Sequence, residues 1–99
     1  VARPVPLRVT RSAAEIGENL AAWRKLQSIT SAQLAERAGI SRSTLSKIEH
    51  GDPGVGLGSV LAVSRALGVL DALVEASDPY RTDLGRARAD EALPIRVRP

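Results

Sequence analysis

A chain of 99 residues, 43% of them hydrophobic, can bury one small core. Without cysteine it has no disulfide or thiolate chemistry, and one histidine leaves no zinc set, so no metal or cofactor is expected. The net charge of +3 is uneven: three arginines and no acid in residues 1–11, six cations against eight acids in 12–80, and five against three in 81–99. The folded part is therefore slightly acidic, and a nucleic-acid partner has to be argued from where individual cations sit.

Aromatic residues are only 2%, namely Trp23 and Tyr80, so the core is built from Leu, Ile, Val and Ala. Such a core is small, and oligomerisation would support it. No apolar run approaches a membrane span and no signal-peptide core follows the basic start. A cytoplasmic protein is the expectation.

Pro4 and Pro6 block helix and predict an extended N-terminal arm over residues 1–11. Within it Leu7-Arg8-Val9-Thr10 alternates as a short edge strand would. Ser12 with Glu15 reads as a capping box opening a first helix over 13–26, carried by Ile16, Leu20 and Trp23. Thr30 or Ser31 caps a second helix over 31–38, with Leu34, Ala35 and Ala38 on one face. Gly39 stops it, Ile40 anchors the turn inward, and Ser41 caps a third helix over 42–50, with Leu45 and Ile48 inward. Gly51 ends that helix, and a turn-rich loop runs to Gly56. Leu57 to Leu67 marks a fourth helix and Val69 to Ala76 a fifth, ended by Asp78-Pro79. The expectation is an all-α domain of five helices over 12–77, flanked by arms at 1–11 and 78–99. In the second arm, residues 82–91 predict a helical turn or two. Leu93 to Arg98 then alternates apolar and basic residues like an exposed strand.

Two short helices joined by a Gly-containing turn form a helix-turn-helix unit. The stretch SAQLAERAGISRSTLSKIEHG, Ser31 to Gly51, resembles the DNA-binding motif of the phage-repressor-like (Xre/Cro) regulators, and the linker lengths fit that domain over 12–77. The resemblance implies double-stranded operator DNA as partner, with the third helix in the major groove. By position in the motif, Arg42, Ser43, Thr44 and Lys47 would read bases, Arg42 most sharply because a guanidinium can grip guanine O6 and N7 together. Ser31, Gln33, Ser41 and His50 would meet phosphates, Ser31 falling where the family usually carries glutamine. Arg24 and Glu49 match a pair that in related repressors locks the first helix to the third. Leu70, Leu73 and Val74 offer a surface for a homodimer, which a weakly charged domain needs in order to bind usefully. The tail DLGRARADEALPIRVRP also resembles HipB-type antitoxin regulators, which implies a HipA-like kinase toxin as a second partner. A competing reading is an adaptor or coactivator that keeps the helical fold without reading sequence. Catalysis is not expected. Ser46, His50 and Asp52 lie close along one exposed stretch, and Gly51 to Gly58 lacks the Lys-Ser/Thr ending of a phosphate loop.

Overall fold

The computed structural model describes residues 4–92: α1 (Leu7–Leu26), α2 (Ser31–Ala38), α3 (Arg42–Glu49), α4 (Leu57–Leu67), α5 (Leu70–Ala76), a 3-10 turn (Pro79–Arg81) and α6 (Asp83–Ala92). No strand occurs among the described residues. The class is all-α, and α2 to α5 fall within a residue of their expected limits.

The first helix departs from expectation. It starts at Leu7, so the extended arm ends at Pro6 and no edge strand forms over Leu7–Thr10. Pro6 is the N-cap, and its carbonyl accepts the Val9 and Thr10 N–H groups at 3.0 and 3.1 Å. Proline ahead of the first turn loses no helical hydrogen bond, because that N–H has no intrahelical partner anyway. Val9, Ala13, Ile16, Leu20 and Trp23 then recur at steps of four and three, one continuous helix face. Ser12 and Glu15 lie inside this helix and cap nothing. At the other end α6 runs ten residues where a turn or two was expected, while Leu93 to Arg98 lies outside the described residues.

Helices α1 to α4 end by one device. Ser28, Gly39, Gly51 and Gly68 take φ of 58, 72, 82 and 83°. The N–H of each following residue then returns to a carbonyl of the last turn: Ile29 to Arg24, Ile40 to Ala35, Asp52 to Lys47 and Val69 to Ser64, at 3.0, 3.0, 2.9 and 2.9 Å. This closure satisfies carbonyls that a helix end leaves without partners. It also delivers Ile29 into the core and packs Ile40 and Val69 against it. Glycine holds three of the four left-handed positions without penalty; Ser28 holds the fourth with a side chain.

The core is Leu20, Ile29, Leu34, Ala35, Leu45, Ile48, Val63 and Leu67. Ser64 is buried among them, its hydroxyl donating to the Val60 carbonyl at 2.8 Å. At its edge the Gln27 amide donates to the Leu67 carbonyl at 2.8 Å and ties the end of α1 to the end of α4. Helices α1 and α3 meet backbone to backbone. A Cβ on Gly17 would run into the Ile48 carbonyl oxygen and stand 2.8 Å from that of Glu49. One on Gly51 would stand 2.6 Å from Ala14 Cα. No side chain fits in that seam, which fixes α3 against α1.

Candidate nucleic-acid interface

Two caps aim the exposed surface of the helix-turn-helix. Thr30 caps α2: its hydroxyl accepts the Gln33 N–H at 3.1 Å, and Gln33 Oε1 accepts the Thr30 N–H at 2.9 Å. This reciprocal box makes Ser31 the first helical residue and turns the Gln33 carbonyl oxygen back on the helix end. Ser41 caps α3, accepting the Thr44 N–H at 3.0 Å and donating to Thr44 Oγ1 at 2.9 Å. Ser41 and Thr44 are thus engaged with each other.

Helix α3 is split by burial. Leu45 and Ile48 are sealed in the core, while Arg42, Ser43, Ser46 and Lys47 are exposed. An open cleft of about 500 Å³, lined mostly by polar residues, runs between the start of α2 and the outer face of α3. It brings together Ser31, Arg42, Ser43 and His50, with Arg24 and Glu49 at its base. Gln33, Ser41, Thr44 and Lys47 do not line it. Ser46 does, and sequence reasoning weighed it only as a nucleophile. Its spacing carried the signal: position 46 follows Arg42 by four and shares its helix face.

Arg24 and Glu49 are joined by two hydrogen bonds, Nε to Oε2 at 2.8 Å and Nη2 to Oε1 at 3.2 Å. Arg24 Nη1 also donates to the Ile29 carbonyl at 3.2 Å. Both side chains are largely shielded, at 14% and 12% exposure. The bond to Glu49 outweighs the desolvation of the guanidinium, so the pKa of Arg24 moves further up from its already high value. One residue of α1 thereby holds both the end of α3 and the turn that leads into α2.

His50 follows α3 and is exposed. Its Nδ1 lies 2.8 Å from the Ser46 carbonyl oxygen. A carbonyl only accepts, so in this contact Nδ1 carries the hydrogen. The Asp52 carboxylate accepts the N–H of Gly54 at 2.8 Å and serves its own loop. No cluster of three or more metal-ligating side chains forms among the described residues. None of their helices is long and apolar enough to cross a membrane.

A family model described as Helix-turn-helix matches residues 20–71, from the buried Leu20 of α1 to Asp71 in α5. The chain belongs to this Xre/Cro-like helix-turn-helix family of DNA-binding transcription regulators. Comparison with curated proteins and with solved structures gave no match.

Proposed function

We propose that the chain is a sequence-specific transcriptional repressor that binds operator DNA as a homodimer, with α3 in the major groove. The division of α3 supports this most directly: two buried apolar residues hold a helix whose outer face carries Arg42, Ser43, Ser46 and Lys47 free of the core. Arg42, Ser43 and Lys47 read base edges, with Thr44 beside them. Ser31 and the free amide of Gln33, at the start of α2, meet phosphate. Ser41 and His50 do so by redirecting the hydrogens they otherwise give to Thr44 Oγ1 and the Ser46 carbonyl. Leu73 and Val74 are exposed on α5 and Leu70 is half-buried; these three contribute to the contact between subunits. With α1 starting at Leu7, residues 7–76 carry eight cations against seven acids and are close to neutral, so one copy holds DNA weakly. Two copies on half-sites about 34 Å apart hold it usefully.

Selection from random DNA tests this. The recovered site should be a palindrome with one-turn spacing, and affinity should fall linearly in log salt by about 0.9 per phosphate neutralised. If neither Arg42→Ala nor Lys47→Ala weakens binding to that site, the adaptor reading replaces this one. The narrower form, an antitoxin bound to a HipA-like kinase toxin, rests on the tail resemblance. A kinase-like gene beside this one, and co-purification of its product, test it.

A further inference from the structure

His50 lines the cleft between α2 and α3. With Glu49 it also lines a second cleft, which Glu18, Ala21, Ala22 and Lys25 of α1 complete. It is the only histidine in the chain, and histidine is the side chain that ordinarily changes charge between pH 5 and 8. Its backbone N–H donates to the Ser46 carbonyl at 2.9 Å. Its ring Nδ1 lies 2.8 Å from the same oxygen and 3.3 Å from Ser46 Oγ. The carbonyl thus takes the one ring hydrogen that a neutral imidazole carries. A neutral ring donates to a phosphate oxygen only by giving that contact up. A protonated ring has a hydrogen on each nitrogen, so it keeps the contact and donates to phosphate as well.

The charges around His50 are nearly balanced before DNA arrives. On α1 stand Glu18, Arg24 and Lys25, and on α3 Arg42, Lys47 and Glu49. Glu49 is engaged by two hydrogen bonds from Arg24. Helix α2 brings only the uncharged Ser31. Asp52, in the loop that follows, turns one carboxylate oxygen to the Gly54 N–H. These are four cations against three acids, so the free protein offers His50 no surplus of negative charge. A phosphate of bound DNA does.

We infer that DNA binding takes up a proton at His50: a phosphate at the end of α3 draws the charged imidazole, so the domain holds DNA more tightly in mild acid than in mild alkali. This rests on the reading of His50 as a phosphate contact and gives that contact a regulation. A bound phosphate favours the charged ring, so the complex holds the proton more tightly than the free chain does. The added affinity is therefore complete at the acid end of the range and lost as pH rises. Two unit charges 4 Å apart in water attract by enough to shift an equilibrium about fivefold, and a gain of that order is expected. It carries its own salt signature, because one more neutralised phosphate steepens the log–log salt dependence by about 0.9. Phosphate contacts carry no base information, so the gain is the same on a selected operator and on a random duplex.

The full chain is titrated onto a rhodamine-labelled random-sequence duplex, and onto the operator recovered by selection, from about pH 6 to 8 and at several salt concentrations. We expect Kd to rise about fivefold across that range on both duplexes, with the steeper salt dependence at the acid end. His50→Gln keeps a hydrogen-bond donor but does not titrate, and should hold the weaker, alkaline affinity at every pH. His50→Lys is charged throughout and should hold the tighter, acid affinity. His50 is exposed, so both variants should keep their helical circular dichroism. Calorimetry of duplex binding in buffers of different ionisation enthalpy counts the proton directly. It should find uptake with the native chain and none with His50→Gln. A native chain whose affinity and salt dependence ignore pH overturns the inference, and so does a pH dependence that survives in His50→Gln. Either result leaves DNA binding in place. Failure to bind any duplex at any pH overturns the DNA reading itself, and the part of His50 with it.

Discussion

Replacing Arg24 with methionine isolates the contribution of its ion pair, because the aliphatic stem is kept and only the guanidinium is lost. Glu49 then loses two donors and the Ile29 carbonyl loses one. Breaking a buried pair costs about 3–5 kcal/mol, chiefly through the charge left without a partner. Here the two side chains retain 14% and 12% exposure, so water reaches the stranded carboxylate in part. The expected loss is about 2–3 kcal/mol. For a domain of this size that lowers Tm by roughly 10–20 °C. Glu49→Gln should cost less, since the amide still accepts one guanidinium hydrogen bond. Arg24→Met with Glu49→Leu replaces the pair by apolar contact and should recover most of the loss. Urea unfolding followed by circular dichroism, with Glu49→Leu alone as the second single variant, completes the double-mutant cycle; one fixed protein concentration keeps any self-association from shifting the comparison. A coupling energy of at least about 1.5 kcal/mol is expected. Additivity within about 0.5 kcal/mol would refute the claim that the pair locks α3 to α1.

Gly17→Ala places a methyl against the Ile48 and Glu49 carbonyls, and both are backbone that cannot swing aside. It should destabilise by about 3 kcal/mol or more in the same urea assay. Gly58→Ala, by contrast, meets nothing within 4 Å on the first turn of α4 and should stabilise by roughly 0.5–1 kcal/mol. Ser28→Gly removes the side chain from a left-handed position and should raise stability by about 1 kcal/mol; an unchanged or lower urea midpoint would contradict this. Arg42→Ala should leave unfolding unchanged, since the side chain is exposed, and relax base preference at one operator position by roughly 1–3 kcal/mol in competition binding.

Helices α2 and α3 were legible because their boundaries are written locally. Thr30, Gly39, Ser41 and Gly51 cap or stop them through neighbours four residues away or closer, or through a left-handed backbone that only glycine takes freely. The start of α1 is not written so locally, because proline and the Leu-Arg-Val-Thr alternation are also the marks of an extended arm. The wider spacing of Val9, Ala13 and Ile16 decides it, and that requires reading across the boundary assumed at residue 12. The Gly17 seam went unread although small residues recur at Ala14, Gly17 and Ala21, a three- and four-residue spacing that suits close helix packing. Within the site, the sequence marked the exposed face of α3. It did not show that Gln33, Ser41 and Thr44 are occupied in caps, or that Ser46 joins the cleft. Those outcomes depend on which of several possible hydrogen bonds the folded geometry selects.

The tight seam between α1 and α3 has a consequence for how such a domain can change. At the end of α3, positions 48, 49 and 51 are constrained: Ile48 fills the core, Glu49 is held by Arg24, and Gly51 has no room for a side chain. Positions 42, 43, 46 and 47 are exposed and lie outside the core. Their side chains can be exchanged at little cost in stability, while the angle at which the helix is presented stays set by α1. The surface that would choose a binding site is therefore free to drift, on a mount that is not.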